Sequence, residues 1–523
     1  MASNVVGVSI PAEILTPPSA AATPSGSTPG PTTRPRRATL ISLLNNYPAP
    51  PPTKSTGPVS FASAAAKAAP APTLAPPPSR VVPRGLINTG NLCFANSVLQ
   101  VLVVYCGALR GLLTALEPLL ERDVALGEGS FPGLGENDFL GAGSGVKERE
   151  SSTPVLDATI RLLREFLPSN KGKERAAESS AVNGDASGWS RVGKSGLEEE
   201  EEREAFMPTF VYDALMKKRR FGHLKLGQQE DAEEFLGFYL DELEEELESL
   251  LKDSDQQGNG IAGEVDGWTE VAKGKKNAVV RGSGPLHNSP ISRIFGGTFR
   301  STLHQPKKPD SVTVERWQRL MLDVEHESID TIEDAIQRLV QPQPISDPAS
   351  PTAQGPMMLQ LQIASLPPVL VVHLKRFFYS ADEVKKVSKE VRFGPILDFP
   401  ANSNVLAKRT SAAKYRLFAV LYHHGRSAAG GHYTLDVLCP TRFALPSATQ
   451  NAGKPGPPKA APSVANKTGP APQRFREGWI RIDDELVSDI RPEDVFGPGA
   501  RSGGRWEEDG GRCAYLLFYE RIG

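Results

Sequence analysis

The chain has 523 residues, 59 basic and 61 acidic, for a net charge of −2. That balance argues against a general nucleic-acid binder, which carries a basic excess. Its four cysteines (Cys93, Cys106, Cys439, Cys513) form no CxxC pair and its eight histidines no HExxH or HxxxH spacing, so neither a disulfide framework nor a metal or other cofactor is expected.

Residues 1–80 hold 17 of the 46 prolines, in stretches such as PAPPPT and APAPTLAPPPS. Such a segment buries too little apolar surface to offset its ordering entropy, and it reads as disordered. Two islands interrupt it: Arg34-Pro-Arg-Arg37 followed by ATLISLLNNY, and Val59-Ser-Phe61. They read either as chance local composition or as short docking motifs or a nuclear address. Met1 to Leu15 lacks a basic n-region and an apolar core, so no secretory signal is expected. No apolar run approaches the ~18 residues that span a bilayer. The expectation is a soluble protein of the cytoplasm and nucleus with no membrane contact.

Character changes at Pro83-Arg84-Gly85. From Asn91 to Leu116 apolar residues recur at helical spacing, through Val98, Leu99, Leu102, Val103, Leu109, Leu112, Leu113 and Leu116. Residues 122–205 turn Gly/Ser- and Glu-rich and read as a flexible insertion, the run Glu198–Glu202 being a solvated face. An acidic amphipathic helix follows over about Gln228 to Leu251, with Phe235, Leu236, Tyr239, Leu240 and Leu243 on its apolar side. Residues 252–288 read as a second flexible insertion.

The second half favours strands. Thr298–Leu303 and Val312–Val324 are β-branched, Leu366–Leu374 is a buried apolar run, and Tyr415–Tyr422 and Ala514–Tyr519 are strong strands. A third Pro/Ala/Gly/Lys-rich insertion occupies about 440–474. Helices first and strands afterwards mean an α+β fold, so residues 81–523 read as one folded domain with three insertions.

Three segments carry chemistry. In Gly85-Leu-Ile-Asn88-Thr-Gly90-Asn91-Leu-Cys93 a glycine-punctuated turn delivers a cysteine to a helix start, where the dipole favours a thiolate nucleophile. The Asn88 side chain and the Cys93 N–H are suited to hold the oxyanion that attack produces. In Gly430-Gly431-His432-Tyr433 an imidazole follows two glycines that leave room for a substrate chain, and it suits a general base. His423 and His424 compete for that role but sit at a strand end and read as structural; His373, within a buried strand, reads as a satisfied core histidine. In Gly478-Trp-Ile-Arg-Ile-Asp483-Asp484 a strand ends in two carboxylates, either of which can orient the base.

These segments, with Gln229-Glu-Asp231-Ala-Glu-Glu and Leu366-Pro-Pro-Val-Leu-Val-Val-His-Leu-Lys-Arg-Phe377, resemble the ubiquitin-specific proteases over roughly 81–523. The resemblance implies a papain-like cysteine protease core with a helical thumb, a β-rich palm and β-sheet fingers. It implies hydrolysis of the isopeptide or peptide bond after the terminal glycine of ubiquitin, with ubiquitin and ubiquitinated proteins as partners. By position, Cys93 is the nucleophile, His432 the base, Asp483 the orienting acid, Asn88 the oxyanion donor and Asp484 an assisting carboxylate. Asp231 matches the acidic residue that pairs with an arginine of the ubiquitin tail, and Gln229, Gly430, Gly431 and Tyr433 line the same path. The branch of the family with a long disordered N-terminus implies an NTF2-like RNA-binding adaptor held through residues 1–80. Where many members hold a finger zinc through two CxxC pairs, this chain has none, which implies fingers held by packing. The competing reading is a catalytically silent ubiquitin-binding scaffold, disfavoured because every reacting group is retained.

Overall fold

The computed structural model describes residues 34–48, 80–120, 151–168, 203–226, 229–255, 279–282, 289–305, 309–345, 357–379, 384–401, 403–408, 410–425, 430–444, 475–496 and 511–522. Its first half is helical: α1 (Arg34–Asn46), α2 (Cys93–Leu99) running on as a π-helical stretch (Gln100–Tyr105), α3 (Gly107–Leu120), α4 (Pro154–Arg164), α5 (Thr209–Met216) and the long α6 (Ala232–Asp255). Then come β1 (Val279–Gly282), α7 (Pro290–Phe295), β2 (Gly297–His304), β3 (Ser311–Trp317), β4 (Leu320–Asp323), α8 (Ile332–Leu339), β5 (Gln343–Ile345), β6 (Met357–Ser365) and β7 (Val369–Lys375). A small hairpin, β8 (Phe377–Tyr379) and β9 (Val384–Lys386), precedes β10 (Ile396–Phe399), β11 (Ala413–His424), β12 (His432–Ala444), β13 (Phe475–Asp483), β14 (Leu486–Ile490), α9 (Pro492–Phe496) and β15 (Cys513–Arg521).

The fold is α+β, with the three parts that the family resemblance implies. The palm is an eight-stranded sheet of order β14-β13-β12-β11-β15-β7-β4, with β10 also paired to β11. The fingers are the five-stranded sheet β1-β3-β2-β6-β5. The helices form the thumb.

The palm sheet is a partition between two cores, because side chains on a strand alternate faces. Val371, Ala419, Leu421, Leu435, Ile480, Leu516 and Phe518 point to the thumb and join the core of α2 to α6. Their neighbours Leu370, Val372, Val420, Leu517 and Tyr519 point the other way, onto Leu322, Ile332 and Ile336. Both faces of β7, β11 and β15 are thus dry, which is why these strands read as continuous apolar runs.

Three segment boundaries need correction. Helix α4 lies inside the stretch 122–205, yet Val155, Leu156, Ile160, Leu162 and Leu163 are buried against the thumb. Its first N–H groups are taken by a neighbour's carboxylate: Val155 N and Leu156 N donate to Glu246 of α6 at 3.2 and 2.7 Å, and Lys218 balances that charge at 2.7 Å. The polar sequence around α4 had masked its period. Within 252–288, α6 continues to Asp255 and β1 pairs in parallel with β3.

The third correction concerns residues 1–80. Helix α1 buries Leu43 and Leu44 in the thumb core. Tyr47 donates its hydroxyl to Ala108 O at 2.6 Å, and Arg293 of α7 donates to Tyr47 O at 2.7 Å and to Leu44 O. The apolar island after Arg37 is therefore part of the folded domain. Val59–Phe61 and residues 445–474 lie outside the described residues. Among the described residues no single helix is long and apolar enough to cross a membrane; α2 with its π stretch and α3 pass that test only as a pair bent by 72°. Both are core helices of the thumb.

Candidate active site

Four backbone segments converge at the edge between thumb and palm. The strand-like stretch 85–87 is held on both sides, Leu86 N donating to Asp484 O at 3.0 Å and Ile87 N to Phe206 O at 2.9 Å. Gly85 is required there, because a Cβ would fall on the Glu485 carbonyl oxygen. The turn that follows is shaped by Asn88, whose Oδ1 accepts from Gly90 N and Leu92 N at 3.2 and 3.1 Å. Cys93 is then the first residue of α2 and is 3% exposed. Leu92 offers no side-chain cap, so the first N–H groups of the helix keep their partial positive charge beside the sulfur.

His432 opens β12 opposite His424 of β11. The β12/β13 register, Leu435 opposite Ile482, carries Asp483 up beside it. His432 Nε2 meets Asp483 Oδ1 at 2.6 Å. That contact occupies Nε2, and Cys93 lies near enough to the ring to act on its charge. The imidazole is pushed up to about 9, first by Cys93 and then by Asp483, against the opposing effect of burial. His432 is therefore held toward the charged imidazolium.

The two adjacent carboxylates part company at the β13/β14 turn. Asp484 sits at φ 50°, a left-handed conformation that aspartate tolerates better than most residues. Its Oδ2 accepts from Asn88 Nδ2 at 3.1 Å and stays 4.0 Å from His432 Nδ1. Burial raises the Asp484 carboxyl, against the lowering effects of Asn88 and His432. Asp483 thus faces the imidazole and Asp484 faces the asparagine.

The structure brings Gln229 closer to the chemistry than its motif indicated. Its Nε2 lies 3.7 Å from Cys93 Sγ and also donates to Gly431 O, while Gly431 N donates to its Oε1 at 3.0 Å. Asp231 is mostly engaged inward: Oδ2 accepts from Tyr515 at 2.5 Å and Oδ1 from Glu233 N at 2.7 Å, capping α6. Burial raises its carboxyl, opposed by the Tyr515 bond. The two glycines differ. A Cβ on Gly430 meets nothing within 4 Å, whereas one on Gly431 would strike the His424 carbonyl and the His423 ring. Gly431 is thus required by packing rather than by clearance for a substrate. Tyr433 is 1% exposed, with its hydroxyl accepting from Ala232 N at 3.4 Å, so it braces the floor instead of lining an open path.

Three buried histidines are held neutral. His423 is buried and lowered to about 3 by burial and then by Lys386. His424 bonds Thr434 Oγ1 at 2.9 Å and is lowered to about 4, mainly by burial. His373 is a core residue but not a satisfied one: neither ring nitrogen has a hydrogen-bond partner, Glu233 being 4.0 Å from Nδ1. Burial lowers it to about 3. Two supports carried no sequence signal. Lys386, from the β8/β9 hairpin, donates to His423 Nδ1 at 2.9 Å and Gly425 O at 2.5 Å, fixing the chain where it leaves β11. Tyr515 of β15 holds Asp231. Among the described residues, the ligand atoms close enough to share a cation are those of His432, Asp483 and Asp484, the acid–base group itself.

Comparison with known proteins places the chain in a family. Residues 84–519 match the family model described as ubiquitin carboxyl-terminal hydrolase. The chain is 32% identical over 471 residues to the probable ubiquitin carboxyl-terminal hydrolase 3 of Schizosaccharomyces pombe, covering 85% of this chain and 75% of that one. It is 30% identical over 483 residues to ubiquitin carboxyl-terminal hydrolase 10 of Rattus norvegicus, covering 86% of this chain and 49% of the relative. The chain thus spans about half the length of the rat protein. Among solved structures, the SAGA DUB module Ubp8/Sgf11/Sus1/Sgf73 bound to monoubiquitin matches with a TM-score of 0.50 at 16% identity, over 85% of this chain and 70% of that one. At that identity the likeness bears on the fold.

Proposed function

The chain belongs to the ubiquitin carboxyl-terminal hydrolase family, and we infer that it is a deubiquitinating cysteine protease in which Cys93 attacks the carbonyl carbon of the terminal glycine of ubiquitin. The observation that carries this reading is the assembly at one point of Cys93, His432 and Asp483, with the 2.6 Å His432–Asp483 bond and the imidazole raised to about 9.

In the first half-reaction the Cys93 thiolate forms a C–S bond and the carbonyl electron pair moves onto oxygen. The Cys93 N–H and Asn88 Nδ2 donate to that oxyanion, and Asp484 holds Asn88 in place. The imidazolium of His432 gives its proton to the leaving amine as the C–N bond breaks, leaving a thioester. Neutral His432 then takes a proton from water, which attacks the thioester and frees the carboxylate. Asp483 keeps the ring oriented throughout and stabilises its charged form.

Ubiquitin and ubiquitinated proteins are the partners this activity implies. An NTF2-like RNA-binding adaptor held by the N-terminal region is the finer proposal, and a cytoplasmic and nuclear location accords with four unpaired, buried thiols. Because α1 packs in the thumb, the adaptor test removes residues 1–33 and 49–79 in separate variants, and pull-down should fail in at least one while hydrolysis persists.

The test of the activity is hydrolysis of a fluorogenic ubiquitin C-terminal amide, together with labelling by a ubiquitin vinyl-electrophile probe. Both should occur in the wild type and vanish in Cys93→Ala. A folded but inert wild type would sink the enzyme reading.

A further inference from the structure

We propose that Gln229 is a specificity-determining latch: in the free protein its side-chain amide occupies the main-chain pairing position on Gly431 that an extended, glycine-ended substrate takes when it binds. The proposal rests on the function above and deepens it.

The contact has an unusual form. A primary amide presents one carbonyl acceptor and N–H donors, the same inventory as a peptide group. Gln229 uses both on a single residue, donating from Nε2 to Gly431 O and accepting from Gly431 N at Oε1 at 3.0 Å. Reciprocal exchange of N–H and C=O with one residue is how an antiparallel strand pairs with its neighbour. The side chain therefore does what the backbone of an added strand would do, and strand addition is a common way to bind an extended peptide.

Two further observations give the latch its place in the reaction. The same Nε2 is 3.7 Å from Cys93 Sγ, within reach of a hydrogen bond to sulfur, so the amide lies against the nucleophile. A scissile carbonyl must come to that same spot. Gly431 can also be recognised only through its main chain, since a Cβ there would strike His424 and His423, whereas Gly430 beside it borders open space. A chain end without side chains offers its main chain alone, the part that can pair with Gly431. Such a substrate replaces the glutamine's two bonds with its own, and a chain that cannot make both leaves the latch shut. Selectivity for a glycine-ended tail thus comes partly from competition with a side chain of the enzyme itself.

The experiment uses the full-length chain with two variants. Gln229→Ala removes the amide, and Gln229→Met fills the same space without hydrogen bonds, which guards against a packing defect. Two neutral bonds of ordinary strength imply that KM for the ubiquitin C-terminal amide falls by roughly 5- to 150-fold in both variants. The Kd of ubiquitin for the same variants in a Cys93→Ala background should fall in parallel. The rate at which iodoacetamide alkylates Cys93 should rise, a change that a structural role or a plain substrate contact would not produce. If KM or Kd rises or stays level in both variants, or alkylation does not accelerate, the latch is overturned. If the wild type fails to turn over ubiquitin amide while alkylation still accelerates in the variants, the fault lies with the substrate reading and the latch over the thiol stands.

Discussion

Asp483 and Asp484 are adjacent, yet the geometry gives them separate tasks, and substitution can separate them. Asp483→Asn keeps the shape and removes the charge facing His432 Nε2 at 2.6 Å. The two side chains are 37% and 47% exposed, so water screens the pair. A half-exposed ion pair contributes at most about 1 kcal/mol, and one pKa unit is about 1.4 kcal/mol. Asp483 therefore accounts for under about one unit of the rise of His432 from 6.5 to about 9, and Cys93 for the larger share. The assay is the pH dependence of kcat/KM on ubiquitin C-terminal amide. Its alkaline limb reports loss of the His432 imidazolium and should lie near 9. Asp483→Asn should move that limb acidward by about half to one unit and lower the maximum by roughly 10²-fold, as a poorly oriented imidazole loses its acid–base role. Asp484→Asn should behave differently: asparagine tolerates the left-handed turn and still offers an oxygen to Asn88. Its limb should stay put and its rate hold within about threefold, whereas Asp484→Ala frees Asn88 and should lose roughly 10- to 100-fold in kcat. If the limb moves with Asp484→Asn and not with Asp483→Asn, the division of labour is wrong. The same shift has a stability consequence. A histidine raised in the folded state stabilises fully below about pH 6.5, and that contribution is lost as pH rises through about 9.

The buried histidines act in the opposite direction. His373 and His423 at about 3 and His424 at about 4 must stay neutral to remain folded, so the unfolded chain takes up protons that the native one refuses as pH drops below 6.5. Stability should fall by up to about 1.4 kcal/mol per pH unit for each site, and His373→Leu, which removes two unpartnered ring nitrogens, should flatten the Tm-against-pH curve and raise Tm more at pH 5 than at pH 8; an equal change at both would count against it. Leu44→Ala should cost about 2–5 kcal/mol, read as a fall in thermal midpoint, if α1 belongs to the thumb; an unchanged midpoint would return the helix to the N-terminal arm. Gly85→Ala should reduce kcat/KM by roughly 10²-fold, because the Cys93 loop must withdraw from the Glu485 turn that carries the carboxylates; a normal rate would show that this contact does not set the alignment.

What the sequence determined by itself was the class of fold and the candidate residues for the reaction. Cys93 after a glycine turn, His432 after Gly430-Gly431 and a strand closing on Asp483-Asp484 are local patterns, and local patterns report which side chains a turn or strand end will present. The apolar runs of β7, β11 and β15 likewise read as strands, and the structure shows them buried on both faces. Tertiary structure decided everything that depends on distance. No local rule tells Asp483 from Asp484, because the choice is made by where Asn88, 396 positions away, meets the turn. Gln229 touches Gly431 and Cys93 only because the lead into α6 and the start of β12 converge. The boundaries of the folded domain were settled in the same way. Helices α1 and α4 are short apolar patterns in polar or proline-rich surroundings, too weak to stand on propensity, and they are helices because the thumb core has room for Leu43, Leu44, Leu162 and Leu163. Helix and strand identity can be written in a few neighbouring residues; burial, pairing of charges and the aim of a catalytic group are properties of what the rest of the chain brings alongside.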